Sequence, residues 1–304
     1  DDFYGGLSTS GTLSPGASIK GTIQGSSDQD WLKISLTAGT SYEFLLEARD
    51  SGGGTLNDPL LHLRDSTGNE ILSNQDGGLG RDAHLTYIPA VSGTYYLSVQ
   101  AQDTYSNDSG TYTLTARSLG SGYSATPVSN AIALTGTATL DGLIQGSTWQ
   151  FSGAHVLTYS FNDVVEEGLV AGGAWTETQK EAVREALLTW AAVANVSFVE
   201  IPGSTAIENN AANIAFGHTG SYLYPAAGLG VFPSPTYVNQ LLTELASNRT
   251  EYPRLEGDVL LDDFASEMQY LAPGDSGFWV GMHELGHALG LKHPFDDGAN
   301  ARPT

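Results

Sequence analysis

The chain has 304 residues, 40% of them hydrophobic, enough for roughly two ordinary globular domains. Its 12 basic and 34 acidic side chains give a formal net charge of −22, which argues against a nucleic-acid partner, because phosphate binding needs a basic face. There is no cysteine, so a secreted form has to find its rigidity elsewhere than in disulfides, and bound calcium is one source. No apolar run reaches the ~18 residues of a membrane-spanning helix. The opening Asp1-Asp2-Phe3-Tyr4 is neither a signal peptide nor a translation start, so the chain reads as a processed or trimmed product.

Residues 1–118 read as all-β. Short alternating runs recur at Trp31–Leu36, Tyr42–Leu46, Thr94–Val99 and Thr111–Thr115, separated by Gly, Asn, Asp and Ser clusters. That spacing predicts an antiparallel sandwich of jelly-roll type. Residues 119–130, LGSGYSATPVSN, carry the Gly, Ser, Thr and Pro of a linker that would let the two halves move independently. Residues 131–304 mix strands and helices. A strand is expected over Val156–Phe161. A helix opens at Thr176 with Gln179 completing a capping box, and Val183, Ala186, Leu187, Trp190 and Val193 form its apolar face. Further strands are expected at Asn213–Phe216, Gly228–Phe232 and Val259–Leu261, with a short helix over Val238–Ala246. The last helix is expected over Ser276–Leu289, capped by Asp275 or Ser276.

That last helix carries His283-Glu284-Leu285-Gly286-His287-Ala288-Leu289-Gly290-Leu291-Lys292-His293. Histidines four apart share one helical face, close enough to bind one ion. Gly290 permits a positive φ, so the helix stops and His293 swings back as a third ligand. Three neutral imidazoles with one open position suit a catalytic zinc rather than a closed structural site. Glu284, at the edge of the same face, reaches a metal-bound water without being a ligand, as a general base requires. The other four histidines, His62, His84, His155 and His218, show no ligand spacing and read as surface or hydrogen-bonded side chains.

At this motif the sequence resembles the metzincins, signature HExxHxxGxxH, and within them the serralysins, secreted bacterial proteases; HELGHALGLKHP with Pro294 is close to that subgroup. The resemblance extends over most of residues 131–304, through LTYSF at 157–161, TETQKEAVREALLTWAAVANVSFVEI at 176–201 and ANIAFGH at 212–218. It implies an α/β zincin catalytic domain, zinc on His283, His287 and His293, and Glu284 as base. It also implies an edge strand over Gly228, Leu229, Gly230, Val231 and Phe232 that pairs with an extended protein or peptide substrate. The family continues to a methionine-containing turn and a nearby tyrosine. Met268 and Met282 both precede His293 and the chain stops at Thr304, so a fragment truncated after the zinc helix is expected, with the remainder of the enzyme as a partner.

The first domain resembles the bacterial pre-peptidase C-terminal domain, in SSDQDWLKISL at 26–36, DPLLHLRDSTGNEIL at 58–72, GTYYLSV at 93–99 and GTYTLTA at 110–116. Asp28, Asp30, Asp103 and Asp108 are its candidate calcium ligands, with turn-forming aspartates as the plain alternative. The leading expectation is a secreted, extracellular zinc endopeptidase with an accessory β-domain. The rival is an inert zincin scaffold carrying a calcium-stabilised module that binds a polysaccharide or protein surface.

Overall fold

A computed structural model describes residues 2–102, 108–121, 125–129, 132–133, 135–162, 173–203, 212–220, 226–244, 255–263 and 273–294. The chain divides into two compact units, Asp1–Gly122 and Tyr123–Thr304.

The first unit is built from two four-stranded antiparallel sheets. One contains β1 (Ala17–Ile23), β8 (Gly110–Ser121), β3 (Thr40–Glu47) and β6 (Ala83–Tyr87), side by side in that order. The other contains β2 (Asp30–Leu36), β7 (Gly93–Ala101), β4 (Pro59–Arg64) and β5 (Glu70–Asn74). Period-two alternation decides which face goes inward. In β2, Leu32, Ile34 and Leu36 are buried while Lys33 and Ser35 are exposed; in β3, Tyr42, Phe44 and Leu46 are buried. These side chains share one core with Ile23, Leu61, Leu63, Leu97 and Leu114.

One polar link ties β8 of one sheet to β2 of the other inside this unit. The Tyr112 hydroxyl donates to Asp30 Oδ2 at 2.8 Å, and Asp30 is fully buried. Burial pushes the Asp30 carboxyl up to about 7, against the Tyr112 hydrogen bond, with Asp2 and Asp28 adding repulsion.

Within the stretch 119–130, residues 119–121 and 125–128 are strand. β8 continues through Ser121, still paired with β3, and a bulge between Ser41 and Tyr42 is accommodated by Gly120 at φ 99°. Strand β9 (Ala125–Val128) then pairs antiparallel with β10 (Thr148–Phe151) of the second unit. Small polar residues are flexible in isolation, but here their backbone groups find ladder partners.

The second unit contains α1 (Ala138–Asp141), β11 (Val156–Asn162), α2 (Glu177–Val193), β12 (Ser197–Glu200), β13 (Ile214–Thr219), β14 (Gly228–Gly230), α3 (Pro235–Glu244), β15 (Val259–Asp262) and α4 (Ser276–Ala288). Its five-stranded sheet has the order β12-β11-β13-β15-β14, parallel except for β14, which is antiparallel to β15 at the edge. The Thr176–Gln179 capping box opens α2 as expected. Leu157, Phe161, Phe216 and Leu261 of the sheet share a core with Val183 and Leu187 of α2 and Leu285 and Ala288 of α4. The largest boundary differences are β13, which runs to Thr219 rather than Phe216, β14, which ends at Gly230 rather than Phe232, and α3, which starts at Pro235, a residue suited to the first helical turn.

A carboxyl whose pKa rises on folding holds its proton more tightly in the native state. For Asp30 that contribution favours folding at low pH and is lost as pH climbs from 3.8 toward 7. With chelator present, Asp30→Asn therefore gains stability over the parent across that window, on the order of 1–4 kcal/mol by pH 7. Parallel thermal melts of the two proteins check this; a difference independent of pH counts against it.

Candidate metal centre and substrate cleft

Helix α4 ends in a pattern that its sequence dictates. Leu289 is the C-cap and Gly290 takes φ 102°. The Gly290 N–H donates to His287 O at 2.9 Å and the Leu291 N–H to Gly286 O at 2.9 Å, the paired bonds of a Schellman motif. A Cβ at Gly290 would lie 2.6 Å from Ser147 O, so both the dihedral and the space call for glycine. The turn sends Leu291–His293 back along the helix.

The result is convergence of three imidazoles. His283 Nε2 lies 3.2 Å from His287 Nε2 and 2.8 Å from His293 Nε2. Among the described residues these histidines form the one group of three or more metal-donor side chains gathered within 4.8 Å. His287 donates from Nδ1 to Leu291 O at 2.7 Å, which leaves its Nε2 lone pair directed at the shared point. Convergent nitrogens on neutral rings, one held by an outer hydrogen bond, are the donor set a zinc ion takes.

Glu284 is 9% exposed and faces the edge strand. A Cβ on Gly228 would sit 2.7 Å from Glu284 Cγ, and one on Gly230 would run into the Glu284 carbonyl. The two glycines of β14 thus let a strand backbone lie directly against α4. Burial pushes the Glu284 carboxyl up to about 7, with the Gly230 backbone amide acting the other way.

Strand, helix and histidines enclose a cleft of about 610 Å³, lined further by Leu229, Phe232, Tyr237, Trp279 and Val280. Phe232 sets its ring edge-to-face on His287 at 5.3 Å and on Tyr237 at 5.0 Å. Of the five expected substrate-strand residues, Gly228, Leu229, Gly230 and Phe232 line this cleft. Val231 is fully buried in a small core with Val238 and Leu255. Tyr237 and Trp279 were not singled out from sequence. Trp279, 64% exposed, stands one helical turn before His283, a spacing that places it on the histidine face.

The candidate calcium ligands are not gathered in this way. Asp28 accepts the Gln24 N–H at 2.7 Å, and Asp108 accepts the N–H groups of Asn57 and Asp58, distant in sequence, at 3.1 Å each. Asp30 faces Tyr112, and Asp103 lies outside the described residues. The remaining histidines pair locally: His62 with Glu70, His84 with Glu43, His155 with Asn195 O, and His218 with Asp263 at 2.6 Å beneath the Trp175 ring.

Residues 150–304 are matched by the family model for matrixin, and the chain belongs to that family. Residues 28–101 are matched by the model for the bacterial pre-peptidase C-terminal domain. The serralysin of Photorhabdus laumondii is 30% identical over 132 residues, covering 42% of this chain and 22% of that protein. The chain thus spans about a fifth of the length of that curated relative. Among solved structures, the pre-peptidase C-terminal domain of a Bacillus anthracis collagenase aligns at 21% identity over 35% of this chain and 93% of its own, with a TM-score of 0.26. A family two carbohydrate esterase from Clostridium thermocellum aligns at 9% identity over 88% of this chain and 91% of its own, with a TM-score of 0.21. Both scores are too low to establish a shared fold.

Gly290→Ala forces a Cβ into a left-handed position against Ser147 O. Urea denaturation of the metal-free protein is expected to show a loss of about 1–3 kcal/mol. An unchanged midpoint would show that this glycine is not required to end the helix.

Proposed function

We propose that the second unit is the catalytic part of an extracellular zinc endopeptidase, with Glu284 as general base. The observation that carries the reading is the meeting of His283, His287 and His293 at one point, beside a buried carboxyl and an edge strand, in a chain of the matrixin family. When bound, zinc supplies Lewis acidity toward a peptide carbonyl and lowers the pKa of a coordinated water. Glu284 accepts the proton of the attacking water on its carboxylate and returns it to the departing amine. The substrate lies extended along β14, antiparallel to it, held by backbone hydrogen bonds. Leu229, Phe232, Tyr237 and Trp279 exclude water and receive apolar side chains.

The first unit is read as a jelly roll that serves as an accessory module. The strand orders β1-β8-β3-β6 and β2-β7-β4-β5 support the first part, and the pre-peptidase C-terminal match supports the second. Calcium on its acidic turns draws support from Asp30 Oδ1, a buried oxygen that lacks a hydrogen-bond partner. The likeness to a serralysin and to a pre-peptidase C-terminal domain supports an extracellular location. Among the described residues no helix is long and apolar enough to cross a membrane.

Casein hydrolysis that a chelator abolishes and zinc restores is the expected result. Glu284→Gln lowers kcat/KM by about 10³ while zinc content stays that of the parent, because only the proton acceptor is removed. Undiminished turnover by this variant, with metal analysis in parallel, defeats the assignment of the base.

A further inference from the structure

The matrixin match begins at residue 150, yet the chain that fixes the exit of α4 lies just before it. Leu143 O accepts the Lys292 N–H at 2.9 Å, and the Gln145 N–H donates to Gly290 O at 3.2 Å. Between them Ile144 and Leu291 form an antiparallel bridge. The Trp149 indole N–H donates to Ala288 O at 2.9 Å, satisfying one of the carbonyls that a helix end leaves without a partner. Ser147 O occupies the space a side chain at position 290 would need.

These bonds fall where the chain that carries the metal centre leaves the helix. His283 and His287 ride on a regular helix. His293 hangs from residues 289–292, which have left it; besides bonds back to α4, that stretch is tied to 143–145 through Gly290 O and the Lys292 N–H. The Lys292 N–H, one residue before His293, is bonded only a peptide away from the ligand. The supporting segment is itself braced. The Asp141 carboxylate accepts from the Thr135 N–H at 2.7 Å and the Gly136 N–H at 3.0 Å, and Gln145 Oε1 accepts the Ser147 N–H at 2.9 Å. Trp149 is 5% exposed in β10, which is paired with β9.

We propose that residues 143–149 are a positioning clasp for the third imidazole, setting the place of His293 and through it the affinity of the site for zinc. The segment touches no substrate in this arrangement. The proposal rests on the metal-centre reading above.

The test is zinc affinity of the full chain, measured by competition with a chromophoric chelator, together with the visible spectrum of the cobalt-substituted protein and the melting temperature of the metal-free form. Trp149→Phe keeps the ring and removes the indole donor. It is expected to weaken zinc binding by roughly 10- to 100-fold, the size seen when an outer partner of a ligand is lost, and to perturb the cobalt bands. Tyr159→Phe is the control: it removes a hydroxyl bond from β11 to Glu200 Oε2 of β12 at 3.0 Å, at the sheet edge opposite β14. It is expected to lower the melting temperature while leaving zinc affinity within about twofold. Equal weakening in both variants would mean that general loosening of the unit explains the effect, and the clasp is overturned. Unchanged affinity in Trp149→Phe overturns it as well, whatever the melting temperature does. A parent chain that binds no zinc sinks the metal-centre reading and the clasp with it, whereas a parent that binds alongside an unaffected Trp149→Phe sinks the clasp alone.

Discussion

Three imidazoles carried on one stretch of chain meet at a point only if the helix holding two of them ends at the right residue. One more turn of α4 would carry His293 away along the axis, by the 1.5 Å rise per residue of an α-helix. Gly290 prevents that with a left-handed φ, and its missing Cβ leaves room for Ser147 O. The Schellman bonds and the His287–Leu291 hydrogen bond then act together: the same turn that brings His293 back also supplies the carbonyl that orients His287. Ending the helix and fixing a ligand's tautomer are one structural event.

The second constraint is the distance between α4 and the sheet edge. β14 lies against the helix because Gly228 and Gly230 present no side chain to Glu284. That close approach removes water from the carboxyl, which is the physical cause of its raised pKa. The close lie of the edge strand on α4 and the desolvation of the carboxyl therefore follow from the same pair of residues.

Much of the site was legible in the sequence because its chemistry is local. Two histidines at helical spacing, a glutamate between them and a glycine three residues on fix the helix face and its stop without reference to anything distant. The glycines of β14 were visible as a strand, but their reason lies on α4 and could not be read from neighbours. The burial of Val231 against Val238 and Leu255 depends on α3 and is not visible in the run from Gly228 to Phe232. In the stretch 119–130, composition reports only intrinsic flexibility, whereas the pairing of its described residues with β3 and β10 is set by long-range hydrogen bonds. The contacts of Trp149 and Leu143 with the end of α4 were invisible for the same reason. The acidic turns of the first unit show the converse: their spacing suggested a cation, while nearby backbone N–H groups already occupy Asp28 and Asp108.

The pairing of residues 143–145 with 290–292 bears on the order of events during folding. Its two halves are separated by about half the chain, a loop whose closure is slow and comes late. His283 and His287 become neighbours as soon as α4 winds, within the time of a helix–coil transition. The turn at Gly290 brings the third nitrogen back locally, and residues 143–145 lock that turn only when they dock. The three donors thereby face one another early and are held firmly only once the tertiary structure is complete.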